Sequence, residues 1–225
     1  MNTAEFLKKI EPMRYKYGID RFLSDSFKLW AIKLSNTVDM QNKEHRAAMA
    51  QELENRYSES DVKLIYSMLG DIIAEYAAMI DSGVFSDLLG EIYMRSNVSS
   101  KQAGQFFTPF NISRLMAAIT VGDCDLSQDI ITINDPACGS SGTIIAALEY
   151  LYQKGINYTE RVLAVVNDID DRCVNMSYIQ LSLLGVPAVV MRGDTFTQKF
   201  TEVWYTPAYI LQFNKFDRHF KNLRL

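Results

Sequence analysis

Hydrophobic and polar residues follow two different periods along this chain of 225 residues. In the first part, apolar side chains recur every three or four positions, most clearly over 21–34 and 61–81. This spacing is typical of amphipathic helices. Ser58 supplies a capping side chain before the second of these helices, and Gly83 supplies a stop after it. Residues 1–97 are therefore predicted to form a helical domain.

From about residue 129 the pattern changes to short apolar runs that alternate with helix-like segments. The predicted strands cover 130–134, 161–167 and 188–192, and a fourth strand-like run covers 202–205. Strands that alternate with helices predict βαβ units and a parallel sheet. The fold class is therefore α/β, with a Rossmann-like sheet that is incomplete at the C-terminus. Residues 104–225 form the second predicted domain, after a polar stretch from residue 97.

Two segments allow more than one interpretation. The helical region is either a self-contained bundle or a platform for another subunit or DNA. The segment 212–225 predicts a helix with Phe213, Phe216, Phe220 and Leu223 on one stripe and basic residues on its other faces. That helix either packs its apolar stripe against the fold or contacts DNA phosphate or a partner.

Composition narrows the class of protein further. The net charge of −4 gives no global basic field, so any contact with nucleic acid has to be local or to depend on a partner. The three cysteines form no CxxC pair, which argues against a zinc site and favours a reducing, cytoplasmic location. The N-terminus lacks the apolar core of a signal peptide, and no run reaches membrane-spanning length. No metal site and no membrane contact are predicted.

Candidate binding residues follow the ends of the three predicted parallel strands. Asp135 opens a turn rich in glycine and serine that leads into a helix, an arrangement suited to holding a ligand at a helix N-terminus. Asp168 follows the second strand, where an acidic residue can bind ribose hydroxyls. Asp194 follows the third, where a polar group can hold a purine amino group. Asp170 is better explained as a helix cap.

These residues lie in four motifs, GQFFTP, DPACGSSG, NDID and GDTF, at Gly104–Pro109, Asp135–Gly142, Asn167–Asp170 and Gly193–Phe196. In this order they resemble the adenine-N6 DNA methyltransferases, in particular the modification subunit of type I restriction–modification systems. The resemblance implies S-adenosylmethionine as the cofactor. The implied cofactor-binding residues are Gln105, Phe106, Phe107, Thr108, Pro109, Asp135, Pro136, Cys138, Gly139, Ser140, Ser141, Gly142, Asp168, Ile169, Asp194 and Phe196.

Individual roles also follow from the resemblance. Thr108 and nearby backbone N–H groups would meet the carboxylate of the methionine end, and Asp135 would lie near its amino group. Asp168 would hold the ribose and Asp194 the adenine amino group. Ile169 and Phe196 would flank the adenine ring.

The family presents the target adenine to an Asn/Asp/Ser-Pro-Pro-aromatic tetrapeptide, which this sequence lacks. The nearest candidate is Thr206–Tyr209, so Thr206, Pro207 and Tyr209 are the expected catalytic residues, although an ordinary turn explains them equally well. The predicted function is site-specific adenine-N6 methylation of DNA within a restriction–modification system. A separate specificity subunit would read the DNA, and a restriction subunit is a further expected partner. The alternative is a non-catalytic scaffold that keeps the cofactor fold.

Overall fold

The structure, a computed structural model, describes residues 3–96, 107–122 and 124–221, with the side chain of residue 220 left out. The helical region contains α1 (Thr3–Lys16), α2 (Ile19–Ser35), α3 (Lys43–Glu54), α4 (Glu59–Ser82) and α5 (Leu88–Ser96). The rest contains α6 (Phe110–Gly122), β1 (Ile131–Asp135), α7 (Gly142–Gln153), α8 (Tyr158–Arg161), β2 (Val162–Asp168), α9 (Asp171–Leu183), β3 (Ala188–Asp194), β4 (Lys199–Tyr205), α10 (Pro207–Leu211) and α11 (Phe213–Lys221). No helix in these ranges is both long and apolar enough to cross a membrane.

Helix α4 shows how local sequence signals set helix boundaries in this chain. The Ser58 hydroxyl accepts a hydrogen bond from the backbone N–H of Asp61 at 3.3 Å, which satisfies one free donor of the first turn. Gly83 ends the helix with φ at +67°, a left-handed conformation that costs glycine little. The predicted cap and stop are both confirmed.

The sheet contains four described strands in the order β1-β2-β3-β4. The first three run parallel, as predicted, whereas β4 runs antiparallel to β3. Only residues 195–198 connect β3 to β4, and such a short loop permits a hairpin but no crossover to a parallel strand. Residues 162–166 of β2 are completely buried, as expected for a strand covered on both faces. The predicted α/β fold class is confirmed.

One hydrophobic core extends through the helical region and one face of the sheet. Trp30 of α2 and Trp204 of β4 both belong to it. Lys28 and Arg46 lie over the Trp204 ring at 4.9 and 3.9 Å, so α2 and α3 contribute cations to a residue of the sheet. The interpretation as a self-contained bundle is therefore wrong, because the helices complete the core of the sheet. The predicted boundary after residue 97 falls largely outside the described residues and stays a prediction.

A smaller cluster covers the other face of the sheet, where α10 and α11 pack. Its buried members are Leu163, Val165, Val189, Met191, Tyr209 and Phe216. In α11, Phe216 is fully buried while Phe213 remains half exposed, so the predicted stripe packs through its central residue. The side chain of Phe220 and all of Leu223 lie outside the described part of the chain.

Candidate functional site

The turn between β1 and α7 is held in shape by the carboxylate that precedes it. One oxygen of Asp135 accepts the backbone N–H of Ala137 at 3.1 Å, and the other accepts the Thr143 hydroxyl at 2.6 Å. Gly139 and Ser141 have φ angles of +55° and +72°, so the chain turns sharply at two positions. For a serine the left-handed conformation is costly and marks a locally strained turn.

Neighbouring strand ends fix this turn from the side. Cys138 donates its backbone N–H to the carbonyl of Asn167 at 2.9 Å, and Gly139 donates to the carboxylate of Asp168 at 2.9 Å. The buried amide of Asn167 donates to the Gly193 carbonyl at 3.1 Å and to the Thr195 hydroxyl at 2.7 Å. Asn167 therefore joins the ends of all three parallel strands. Its position at the end of a buried strand is visible in the sequence, but the sequence motifs imply no separate role for it.

A cavity of about 100 Å³ opens beside the turn. This volume suits one end of an extended ligand, since sites that enclose a whole drug-sized molecule are several times larger. Its lining residues are Asp87, Phe107, Thr108, Asp135, Ala137, Cys138, Gly139, Ser140, Gly142 and Thr143. Seven of these are among the predicted cofactor-binding residues. The carboxylate of Asp87 was not predicted, because it lies far away in the sequence on the segment before α5.

Phe107 joins the helical region to this cavity. Its ring lies 5.9 Å from that of Tyr93 in α5, and it is partly buried against the main core. A Cβ built on Gly139 would lie 3.1 Å from the Phe107 ring, so the glycine allows the ring to approach the turn closely. Packing and cavity lining are therefore compatible roles for this phenylalanine.

Three further predicted cofactor-binding residues, Gln105, Phe106 and Pro109, belong to the same segment as Phe107. Pro109 accepts backbone hydrogen bonds from Ile112 and Ser113 at the start of α6. Gln105 and Phe106, both predicted to bind the cofactor, lie outside the described residues.

The three strand-end aspartates, Asp135, Asp168 and Asp194, lie on neighbouring strands but at different positions along the strand direction. Asp135 pairs with Val166 and Asp168 pairs with Arg192, so each strand extends two residues beyond the one before it. Asp135 lines the cavity and Asp168 borders it through Gly139. Asp194, one strand further on, lies outside that lining.

Two large apolar side chains, one next to Asp168 and one close to Asp194 in the sequence, face solvent. Ile169 is 69% exposed and Phe196 is fully exposed. Asp194 accepts the backbone N–H of Phe196 at 2.9 Å, which fixes the loop that carries this ring. The surface predicted to bind adenine, around Ile169, Asp194 and Phe196, is therefore open to solvent and lies outside the cavity lining. Its role in ligand binding stays a prediction.

Three predicted residues of the turn have mainly internal contacts. Ser141 shares a hydrogen bond with the hydroxyl of Ser177 in α9. The carbonyl of Pro136 accepts the Thr195 hydroxyl at 2.5 Å. Cys138 is buried, and burial raises the pKa of its thiol well above the usual range. The thiol therefore stays protonated and suits a small packed residue rather than a nucleophile.

The expected catalytic residues lie at the wrong end of the sheet. Thr206 is fully buried, where its hydroxyl donates to the Val186 carbonyl at 2.6 Å and accepts the Ala188 N–H at 2.8 Å. The buried ring of Tyr209 stacks on Tyr205 at 5.0 Å. Pro207 is the first residue of α10.

The antiparallel direction of β4 explains this placement. The strand ends beside the start of β3, opposite the edge that carries the turn and the cavity. The prediction of a catalytic role for Thr206, Pro207 and Tyr209 is therefore corrected, since all three have structural roles far from the cavity.

Within the described ranges, no Lys, Arg or His nitrogen comes within 4.0 Å of the carboxylates at the site. The residues concerned are Asp87, Asp135, Asp168 and Asp194. These groups accept hydrogen bonds from backbone, hydroxyl and amide donors. The site is therefore complementary to a ligand that carries positive charge and several hydrogen-bond donors.

Comparison with known proteins agrees with this geometry. Residues 84–224, well over half of the chain, match the model of the N-6 DNA methylase family. The chain belongs to this family. The match begins just before Asp87 and contains the whole turn, so it confirms the resemblance seen in the sequence motifs.

Similar proteins include two curated methylase subunits of type I restriction enzymes. The chain is 28% identical over 127 residues to the MpnII methylase subunit of Mycoplasma pneumoniae, which covers 53% of this chain and 22% of that protein. It is 28% identical over 116 residues to the MjaIX methylase subunit of Methanocaldococcus jannaschii, covering 49% and 19% respectively. The chain thus spans about a fifth of the length of these relatives.

A solved structure also resembles the fold. It is the methyltransferase subunit of a type I restriction-modification system from Streptococcus thermophilus, with 15% identity and a TM-score of 0.42. The superposition covers 88% of this chain and 58% of that one.

The family implies S-adenosylmethionine as the cofactor, and the residues of the cavity fit it. Its methionine end carries an ammonium and a carboxylate, and the cavity offers two carboxylates together with backbone N–H groups at the start of α7. Its adenosine carries two ribose hydroxyls and an adenine amino group, and the carboxylates of Asp168 and Asp194 would be suitable acceptors for these donors. The exposed ring of Phe196 and the exposed aliphatic side chain of Ile169 are suited to apolar contact with adenine.

Proposed function

We propose that this chain forms the cofactor-binding part of an adenine-N6 DNA methyltransferase that acts in a type I restriction–modification system. The observation that carries the proposal is the strand-end site, where a strained glycine–serine turn lies beside a cavity. Asp87 and Asp135 line this cavity and Asp168 borders it, and none of the three has a cationic partner among the described residues. Family membership supports methyl transfer as the reaction class. The two curated relatives, both methylase subunits of type I restriction enzymes, support assembly with other subunits.

In this proposal the residues of the chain bind and orient rather than transfer protons. Asp168 accepts from the ribose hydroxyls and keeps the turn in place through Gly139. Thr108 and the first N–H groups of α7 bind the carboxylate of the methionine end. S-adenosylmethionine supplies an activated methyl group on its sulfonium. Catalysis then depends on aligning that methyl group with the exocyclic nitrogen of a flipped-out adenine.

The basic residues of α11 lie away from this site. Lys215, Arg218 and His219 of α11 line a surface depression with Asp129 and Ile130, next to the start of β1. That end of the sheet is opposite the cavity. Specific reading of DNA is therefore assigned, in this proposal, to a separate specificity subunit.

The decisive experiment measures transfer of a tritiated methyl group from S-adenosylmethionine to adenine-containing DNA. The chain is assayed alone and together with a specificity subunit from the same genomic region. We expect transfer in the mixture, and a loss of at least tenfold on Asp168→Asn, because the ribose loses a charged acceptor. Asp125→Asn, an exposed turn residue outside the site, serves as the matched control and should leave the rate unchanged.

A non-catalytic, cofactor-binding scaffold is the second candidate function. It is favoured by the position of Thr206, Pro207 and Tyr209 at the opposite end of the sheet, which leaves the described residues without a base-presenting tetrapeptide. Binding of S-adenosylhomocysteine without methyl transfer in any mixture would support the scaffold and contradict the enzyme. Absence of binding would contradict both.

A further inference from the structure

Asp87 is a buried carboxylate at the floor of the cavity, and the roles implied by the sequence motifs do not include it. It is 8% exposed and precedes α5, so it comes from the helical side of the molecule and reaches the turn after β1. One oxygen, Oδ1, accepts from the Gly90 N–H at 3.1 Å and from the Gln180 amide at 2.8 Å. The other, Oδ2, accepts from the Ser140 hydroxyl at 2.5 Å.

This hydrogen-bond pattern leaves one acceptor position on Oδ2. A carboxylate accepts about four hydrogen bonds, and three are filled by described donors. A Cβ built on Gly142 would lie 2.8 Å from Oδ2, and Gly142 also lines the cavity. Oδ2, the less occupied oxygen, therefore lies between Gly90 and Gly142, and the second of these glycines lines the cavity.

The surroundings of Asp87 would also favour binding of a cation. Burial raises the pKa of this carboxyl, and the Glu91 carboxylate raises it further, against the lowering effect of the Ser140 and Gln180 hydrogen bonds. No cationic side chain in the described ranges pairs with it. A cationic group in the cavity would meet this carboxylate at low local dielectric, where such an interaction is strong.

We propose that Asp87 receives the α-ammonium group of the methionine end of the cofactor, an inference that rests on the function proposed above. Asp135, to which the sequence resemblance assigned this role, is partly exposed, so that a cation would meet it at a higher local dielectric. Asp87 is the more deeply buried of the two. Its Ser140 contact also ties ammonium binding to the position of the turn.

The test compares three ligands by calorimetry on the full chain. S-adenosylhomocysteine carries the ammonium, its deamino analogue has hydrogen in place of the amino group, and 5′-methylthioadenosine lacks the whole amino-acid part. We expect Asp87→Asn to reduce the preference for S-adenosylhomocysteine over the deamino analogue about 10- to 100-fold. Affinity for 5′-methylthioadenosine should stay within about twofold, and Asp125→Asn should change none of the three.

Each outcome decides the question. An unchanged preference in Asp87→Asn, or an equal loss for all three ligands, would overturn the proposal and leave Asp87 as a structural anchor of Ser140. If wild-type protein binds none of the ligands, the proposed function itself fails. Binding of all three with an unchanged preference defeats only the inference about Asp87.

A measurement on wild-type protein covers the case in which Asp87→Asn does not fold. The carboxyl carbon of Asp87 is followed by NMR through a pH titration, without ligand and with each of two ligands. We expect its pKa to fall when S-adenosylhomocysteine binds and to stay unchanged with 5′-methylthioadenosine, because only the first brings an ammonium group. Equal pKa values with both ligands would overturn the proposal.

Discussion

Buried charged side chains have different partners in the helical region and at the site. In the helical region, Arg46 and Asp39 are 5% and 6% exposed and pair at 2.5 Å. Asp61 binds both Lys16 and the Tyr17 hydroxyl. At the site, the buried Asp87 has only neutral donors among its described partners.

This difference in the partners of buried charges indicates a different role for each region. Compensated charges hold helices in a fixed arrangement, because removing one partner leaves the other buried and unpaired. Carboxylates satisfied only by neutral donors keep their electrostatic attraction for an incoming cation. The helical region thus provides a rigid support, and the site keeps an excess of negative charge that suits the ligand proposed above.

The largest expected effect comes from breaking a compensated pair. Arg46→Ala removes the guanidinium that binds Asp39 and Ser35 and covers the Trp204 ring. We expect the free energy of unfolding to fall by about 3–5 kcal/mol, measured by urea denaturation. Lys63→Ala is the control, because its pair with Glu59 is exposed and contributes at most about 1 kcal/mol. Equal, small losses in both variants would remove the contrast between the two regions.

An intermediate effect is expected at low pH. Burial raises the pKa of Asp61, but hydrogen bonds from Lys16, Ser58 and Tyr17 outweigh it and lower the pKa to about 2. Because the folded pKa lies below the unfolded value, this stabilisation is present above about pH 4 and is lost as the pH falls towards 2. Lys16 is half exposed, so solvent screening limits the contribution to roughly 1 kcal/mol.

Unfolding free energies measured between pH 5 and pH 2 check this expectation. Asp61→Asn should be less stable than wild type at pH 5, and the gap should close as the pH approaches 2. A gap that stays constant over this interval would show that Asp61 titrates as in the unfolded chain.

The smallest effect on stability is expected at the site. Asp135→Asn keeps the shape of the side chain, and its amide can still contact both Ala137 and Thr143. We expect the free energy of unfolding to change by less than about 1 kcal/mol, because no buried cation loses its partner. Asp39→Asn, which uncouples Arg46, should cost several times more under the same conditions. Similar losses in the two variants would contradict the comparison.

Local sequence patterns predicted much of the fold correctly. The three- and four-residue spacing and the Ser58 cap determined α4, and the apolar runs determined the parallel strands. Asp170 also caps α9 as expected, since its side chain accepts from the Arg172 N–H. These signals are local, and tertiary contacts reinforced them rather than replacing them.

The direction of β4 was not predicted, and it decides at which end of the sheet Thr206 lies. The apolar run before Thr206 identified a strand, but a strand's own residues do not specify its orientation. A signal was nevertheless present, because even the segment between the two predicted strands, 193–201, is shorter than the dozen or so residues of a parallel crossover. Counting that connection would have placed Thr206 away from the site before the structure was known.

The sequence by itself determined the βαβ order, the glycine–serine turn and the acidic strand ends, because each depends on residues that are close together in the chain. Only the tertiary structure decided that the helical region completes the core and that Asp87 lies under the turn. Asp87 and Ser140 are 53 positions apart, and their contact exists only because the helical region packs against α9 and the sheet. Contacts of that kind follow from how whole elements pack, which no local period encodes.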